Sequence, residues 1–372
     1  MKQISIMLKP ASSACNLRCK DCFYADLAEK RDTPCFGRMT PDTREQLLQN
    51  VRKDLQPGDQ VTFAFQGGEP TLVGLPWFRD FFRQVRETYG GIRVSYALQT
   101  NGTLLDHDWC VFLRENRVLV GLSLDSLPKY HNACRVDAQG DGTYGRVLEA
   151  AALLREHRVE FNILCTLTAE IARHPGQVWK WILQNDFRYV QFTPCLDELN
   201  APGSSPYALK PEKFAAFYKA LFPLWLQEFQ AGRYRSIKLF DDIVNLLAYG
   251  VPTACGIHGQ CQCQLVVEAD GSTYPCDFYC LDCYRLGYLQ KDSFLDMMVS
   301  DVARKFLTRP REDMTACRDC PYLRMCRGGC RRMQREICCV PGSGCCGYRE
   351  LLDTAMPALQ QIALQQRRYG PR

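Results

Sequence analysis

Three cysteines within eight residues, Cys15, Cys19 and Cys22, constrain this chain more than any other feature. They sit at spacing C-x3-C-x2-C in the stretch Cys15-Asn16-Leu17-Arg18-Cys19-Lys20-Asp21-Cys22-Phe23-Tyr24, just after the apolar-containing run Ile4–Leu8. Such a loop can wrap three corners of a cubane iron–sulfur cluster, which is normally held by four thiolates. The loop holds no fourth cysteine, so one iron would keep an open position, the mark of a reactive rather than a structural site. A zinc knuckle is the alternative reading, although zinc sites usually pair ligands in C-x2-C units with a fourth Cys or His nearby.

Cysteine is also the outlier in composition, at 22 of 372 residues. In a small secreted domain that would mean disulfides. This chain is large, and its first residues, Met1 to Pro10, are broken by Lys2 and Lys9 and form no signal-peptide core. No apolar stretch approaches the length of a membrane span. A cytoplasmic protein with metal-binding cysteines is therefore expected, acting on no membrane. The net charge of +5, without a basic run, also argues against a nucleic-acid partner.

Through residue 200 the sequence alternates short β-rich runs with amphipathic helix patterns. Candidate strands are Ile4–Leu8, Val61–Gln66, Val94–Gln99, Val118–Leu124, Phe161–Thr166 and Tyr189–Phe192. Most are rich in Val, Ile, Phe and Leu, as strands buried on both faces should be. Thr40-Pro41-Asp42 reads as an N-cap, a first-turn proline and a first-turn acid. This alternation predicts parallel β/α units. The unusual polar residues follow the strands: Cys15–Cys22 the first, Gly67-Gly68-Glu69 the second, Thr100-Asn101-Gly102 the third, Ser123 and Asp125 the fourth, Cys195-Leu196-Asp197 the sixth. In a β/α barrel all would gather at the C-terminal rim, where such folds place their chemistry. Six units would make a partial (β/α)6 barrel. Gly67-Gly68 suits a close backbone approach to a ligand as well as a plain turn. Gln66, Gln99 and Asn101 are explained as well by hydrogen bonds to neighbouring loops as by substrate contact.

Beyond a helix pattern at Phe214–Gln230, the cysteines change character. Cys255-x5-Cys261 precedes Val266 to Cys276, which reads as a hairpin turning at Asp270-Gly271. Cys317-x2-Cys320-x5-Cys326-x3-Cys330 and Cys345-Cys346 follow, spacings that signal metal binding in a non-secreted chain. Zinc fits cysteines alone, but zinc has no redox chemistry to serve a reactive cluster. Helical spacing of Leu351, Leu352, Ala355, Leu359 and Ile362 predicts an amphipathic helix over Tyr348–Gln366.

The three-cysteine loop resembles the signature of radical S-adenosylmethionine enzymes. The resemblance continues through Gln66-Gly67-Gly68-Glu69-Pro70-Thr71, Gln99-Thr100-Asn101-Gly102-Thr103 and the cysteine-rich third, and it covers nearly the whole chain. Taken together the chain is similar to the anaerobic sulfatase-maturating enzymes, a formylglycine-generating branch of the SPASM-type radical enzymes. That resemblance implies a radical SAM barrel over residues 1–235, an auxiliary-cluster module over 236–346 and a C-terminal helix over 347–372 packing on the barrel. It implies three [4Fe–4S] clusters: one on Cys15, Cys19 and Cys22, one on Cys255, Cys261, Cys276 and Cys330, and one on Cys317, Cys320, Cys326 and Cys345, with Cys346 the rival for the last place. Contacts to S-adenosylmethionine carry over to Asp21, where the family is commonly aromatic, and to Tyr24, Gly67, Ser123, Arg135 and Leu196. Asp277 carries over as the base that deprotonates a Cys or Ser side chain within a C/S-x-P/A-x-R motif of an unfolded sulfatase or peptide. An auxiliary cluster would accept the second electron, and a flavodoxin- or ferredoxin-like protein would donate the first. A thioether- or carbon-crosslinking SPASM enzyme and a non-catalytic zinc scaffold are the other readings; a turn-capping Asp277 is the bland one.

Overall fold

The computed structural model describes residues 1–310, 315–340, 344 and 346–369. The chain forms two compact units: Met1–Ser123, Arg135–Phe161 and Gln262–Arg309 make the first; Leu124–Cys134, Asn162–Cys261 and Pro310–Arg372 make the second.

In the first unit β1 (Gln3–Leu8), β2 (Gln60–Phe65), β3 (Arg93–Thr100) and β4 (Leu119–Ser123) run parallel in chain order, with Leu8 opposite Phe65 and Phe65 opposite Leu98. Their C-terminal ends therefore lie along one edge of the sheet. Helices α1 (Phe23–Glu29), α2 (Pro41–Lys53), α3 (Leu75–Thr88), α4 (His107–Glu115) and α5 (Tyr144–Glu156) alternate with the strands. The expected N-cap of α2 is formed, with Thr40 Oγ1 accepting from the Thr43 amide at 3.1 Å. Phe63 and Phe65 of β2 pack against Phe81 of α3 with ring centroids 5.2 and 5.1 Å apart, and these rings are fully buried.

The expectation of strands buried on both faces holds for β4, whose Val120 to Ser123 are all buried, and fails for β2. There, buried residues alternate with half-buried ones, because Thr62 and Ala64 face away from α3. The second difference lies at the other edge of the sheet. The expected hairpin forms, as β8 (Leu265–Val267) and β9 (Ser272–Tyr274) with Gly271 at φ +84°, and β8 pairs in parallel with β1, Leu8 opposite Val267. A piece of the cysteine-rich third thus extends the N-terminal sheet.

In the second unit β5 (Phe161–Leu167), β6 (Tyr189–Pro194) and β7 (Ser236–Ile237) are parallel. Helices α6 (Pro175–Gln184), α7 (Pro211–Gln230), α8 (Lys238–Tyr249) and α9 (Gly347–Tyr369) surround them. The helix expected at the C-terminus is α9, which buries Leu351, Leu352, Ala355 and Leu359. Among the described residues no helix is long and apolar enough to cross a membrane.

Candidate active site

Residues 9–22 leave the end of β1 as a loop braced from below by backbone. Gly68 donates its amide to Ser12 O and Glu69 to Ala14 O, both at 2.8 Å. The two segments touch so closely that a Cβ on Gly68 would stand 2.1 Å from Ala14 O, and one on Gly67, at φ +126°, 2.8 Å from Ser12 O. The close approach expected of the glycine pair is therefore made, in this structure, to the cysteine loop itself.

Glu69 ties that loop to the end of β3. Buried beneath it, Glu69 accepts from the Thr71 amide and hydroxyl at 3.1 and 2.6 Å, from Thr100 Oγ1 at 2.8 Å and from the Asn101 amide at 2.8 Å. Burial nevertheless raises its pKa, against the pull of those donors. Asn101 Nδ2 then donates to Asn16 Oδ1 at 2.9 Å and lies 3.9 Å from Cys15 Sγ, while Asn16 donates to Thr103 Oγ1 at 2.8 Å. For Asn101 the hydrogen-bonding explanation is the one the geometry supplies. Gln66 and Gln99 are half-buried near the same strand ends.

The loop's other flank is fixed by residues 135–137. Arg18 donates its amide to Val136 O at 2.7 Å, and Leu17 bridges to Asp137. This brings Arg135 close enough to act on the thiols: burial pushes Cys19 up to about 12 and Arg135 opposes that rise. Cys15 and Cys22 are raised as well, chiefly by burial. Asp21 acts on both Cys19 and Cys22. Ser123 is buried at the C-terminal end of β4; Leu196 is half-buried in the second unit, after β6.

Asp277 opens a 3₁₀ turn, Asp277–Tyr279, directly after Cys276 at the end of the hairpin. Two contacts tie it to the cysteine loop. Phe278 packs on Phe23, the residue after Cys22, with ring centroids 4.9 Å apart. Lys9, the first residue of the loop, places its Nζ 2.6 Å from Asp277 Oδ1, with side chains 1% and 17% exposed. The same ammonium lies 3.3 Å from the centroid of the Tyr24 ring. Burial works against the charge on Lys9, yet Asp277, Cys280 and Glu268 together raise its pKa above the ordinary value. Tyr24 is itself buried and donates its hydroxyl to Glu268, which also pairs with the buried Arg31 at 2.7 Å. Beside them Cys280 is fully buried, and burial raises its pKa.

In the second unit burial raises Cys255 to about 11, and Cys330 and then Cys261 add to that rise. Cys326 is likewise pushed up to about 11 by burial and by Cys320, Cys346 and Cys317. Cys338, whose thiol donates to Gly328 O at 3.5 Å, neighbours Cys346 and holds it below its usual range. Cys345 lies outside the described residues. Cys276 belongs to the first unit.

Residues 10–177 match the Radical SAM superfamily, and residues 255–321 match an iron–sulfur cluster-binding domain, SPASM. A cysteine-type anaerobic sulfatase-maturating enzyme of Clostridium perfringens is 39% identical over 98% of this chain and 99% of its own. The chain belongs to the anaerobic sulfatase-maturating enzymes. A serine-type member of the family, from Klebsiella aerogenes, is 30% identical over 87% of this chain and 79% of its own. The solved structure of native anSMEcpe with bound AdoMet and Cp18Cys peptide superposes with a TM-score of 0.88 at 38% identity, covering 98% of this chain and 99% of that one. A partial (β/α)6 radical SAM fold with a SPASM module is thus the fold of this sulfatase-maturating enzyme.

The donor set of this family member suits iron–sulfur ligation. Cys15, Cys19 and Cys22 are free thiols on one short loop. Lys9 is the residue that sequence reasoning missed. A lysine immediately after an apolar strand, at the active edge of a parallel sheet, is the signal that could have found it.

Proposed function

We propose that this chain oxidises a cysteine side chain in a sulfatase motif of the C-x-P/A-x-R type to Cα-formylglycine, with serine as the lesser target. The higher identity to a cysteine-type relative than to a serine-type one supports that preference. In this reading Cys15, Cys19 and Cys22 hold a [4Fe–4S] cluster, and Asp21, Tyr24, Gly67, Ser123, Arg135 and Leu196 contact S-adenosylmethionine. When bound, the cluster and S-adenosylmethionine would supply the radical chemistry that removes hydrogen from the substrate Cβ. Cys255, Cys261, Cys276 and Cys330, and likewise Cys317, Cys320, Cys326 and Cys345, would hold two further clusters, whose chemistry there would be electron transfer only. The proposal keeps the division into a barrel over 1–235, a SPASM module over 236–346 and a terminal helix over 347–372. It also keeps a cytoplasmic location and a flavodoxin- or ferredoxin-like donor.

The protein's own part is proton removal. Asp277 takes the proton of the target thiol, so that electrons can leave the carbon–sulfur unit without building positive charge on it. The observation that carries this reading is the position of Asp277: a carboxylate paired with Lys9 and held, through Phe278 and Phe23, against the helix that leaves the cysteine loop.

Incubating the reconstituted protein with S-adenosylmethionine, dithionite and a Cys-x-Pro-x-Arg peptide should convert the cysteine to an aldehyde, read by mass spectrometry as loss of sulfur and gain of a carbonyl. Asp277→Asn is expected to lower product by on the order of 100-fold or more, within the range for loss of a general base, while still releasing 5′-deoxyadenosine. Full product formation by that variant would remove Asp277 from the mechanism.

A further inference from the structure

Lys9 is 1% exposed, and its ammonium has a single ion-pair partner among the described residues, Asp277 Oδ1 at 2.6 Å. The other acid nearby, Glu268, is engaged with Arg31 and Tyr24. The backbone of Lys9 is fixed as firmly as its head group. Its amide donates to Val267 O at 2.8 Å, its carbonyl accepts from the Ser12 amide at 2.9 Å, and its Cβ lies where Gly67 leaves room. The stem then runs past the Tyr24 ring. So one residue is anchored on β8, in the cysteine loop and on α1, and its side chain ends on the carboxylate beside Cys276.

That arrangement fixes which oxygen of Asp277 can work. Oδ1 is taken by Lys9, whereas no hydrogen bond to Oδ2 is made among the described residues. Building on the proposed role of Asp277, we infer that Lys9 is a positioning residue for the reaction. It clamps Asp277 through Oδ1 and leaves Oδ2 as the acceptor aimed at the substrate proton. The thiol S–H bond breaks, an O–H bond forms at Oδ2, and the lysine keeps its own proton throughout. Lys9 touches neither the substrate nor the reacting atoms. Its effect is geometric, and a misplacement of about 1 Å at such a group can cost on the order of 100-fold in rate.

The test compares Lys9→Met, Lys9→Arg, Asp277→Asn and the Lys9→Met/Asp277→Asn double variant in the reconstituted enzyme, with the Cys-x-Pro-x-Arg peptide as probe. Lys9→Met is expected to lower the ratio of aldehyde product to 5′-deoxyadenosine by on the order of 10- to 100-fold. Lys9→Arg should recover part of that ratio, because a guanidinium can still grip one carboxylate oxygen. The double variant should be no worse than Asp277→Asn. A purely structural lysine would lower product and 5′-deoxyadenosine together, leaving the ratio at the parent value, and that result overturns the inference. If Asp277→Asn itself keeps the parent ratio, the role of Asp277 falls instead, and the two failures are told apart.

A second readout needs no cofactor. In the chain stripped of iron, Lys9→Met and Asp277→Asn should each lower the melting temperature, since each strands a buried or half-buried charge. The double variant should melt above Lys9→Met. Should Lys9→Met not fold, recovery of folding by the double variant still supports the pair; a double variant as unstable as Lys9→Met overturns it.

Discussion

Gly68→Ala is expected to strip the N-terminal cluster from the reconstituted protein while leaving the rest of the chain folded. The alanine methyl would stand 2.1 Å from Ala14 O and 2.7 Å from the Ser13 carbonyl carbon, all of it backbone with no side-chain rotamer to absorb the clash. Relief requires residues 12–14 and 67–69 to separate, which breaks the hydrogen bonds from Gly68 to Ser12 and from Glu69 to Ala14. Overpacking of this kind and the lost hydrogen bonds together cost about 3 kcal/mol. The strain falls on the segment that leads into Cys15, so the loop rather than the sheet gives way. Iron and sulfide per chain should drop by one cluster's complement, and added S-adenosylmethionine should no longer perturb the spectrum of the reduced protein. Gly145→Ala is the control: it lies in α5 with open space at its Cβ, and a helical alanine there is favourable. A Gly68→Ala protein with the iron content and spectral response of the parent would show that the glycine pair does not brace the loop.

The parts of this geometry that were legible beforehand are those written locally. Apolar runs announced β1 to β6 to within a few residues, and Thr40-Pro41-Asp42 announced the start of α2. What could not be read are the partners that the loop acquires across the chain. β8 is three residues long, and its parallel pairing with β1 leaves no local pattern, since parallel neighbours are joined by whatever chain lies between. Because that pairing was invisible, so was the contact it creates. Lys9 read merely as a charge interrupting an N-terminal apolar segment, yet it is buried against a carboxylate that arrives from the far side of the sequence. Glu69 shows the same limit in another form. Its place after two glycines was evident, whereas its role as the hub joining Thr71, Thr100 and Asn101 depends on β2 and β3 ending side by side.

Glu268→Gln should destabilise the first unit by about 3–5 kcal/mol, the cost of leaving one partner of a buried ion pair alone. Both side chains of the Arg31–Glu268 pair are 0% exposed at 2.7 Å, so no water can replace the missing charge. Removing the charge also weakens the acceptor of the Tyr24 hydroxyl, which becomes a neutral amide oxygen in place of a carboxylate; the Tyr24 pKa is raised by burial and then by Glu268. The consequences reach the reactive loop by two routes. Arg31 donates to Pro34 O at 2.7 Å, and Pro34 O in turn accepts from Ser13 Oγ at 2.7 Å, so a shifted Arg31 loosens the segment before Cys15. Tyr24 carries the ring on which Lys9 rests, so its movement misaligns the ion pair to Asp277. Denaturant unfolding of the parent, Glu268→Gln, Arg31→Met and the double variant separates the pair from its surroundings. The two single changes should sum to well over the loss in the double variant, because the second change removes the charge that the first left stranded. Additive losses, or a Glu268→Gln loss below about 1 kcal/mol, the scale of an exposed pair, would mean that the pair is solvated and that Tyr24 is held by packing alone. With the expected coupling, the product-to-5′-deoxyadenosine ratio of Glu268→Gln should fall in the same sense as that of Lys9→Met but by less, since Lys9 keeps its own carboxylate and loses only the firmness of the ring beneath it.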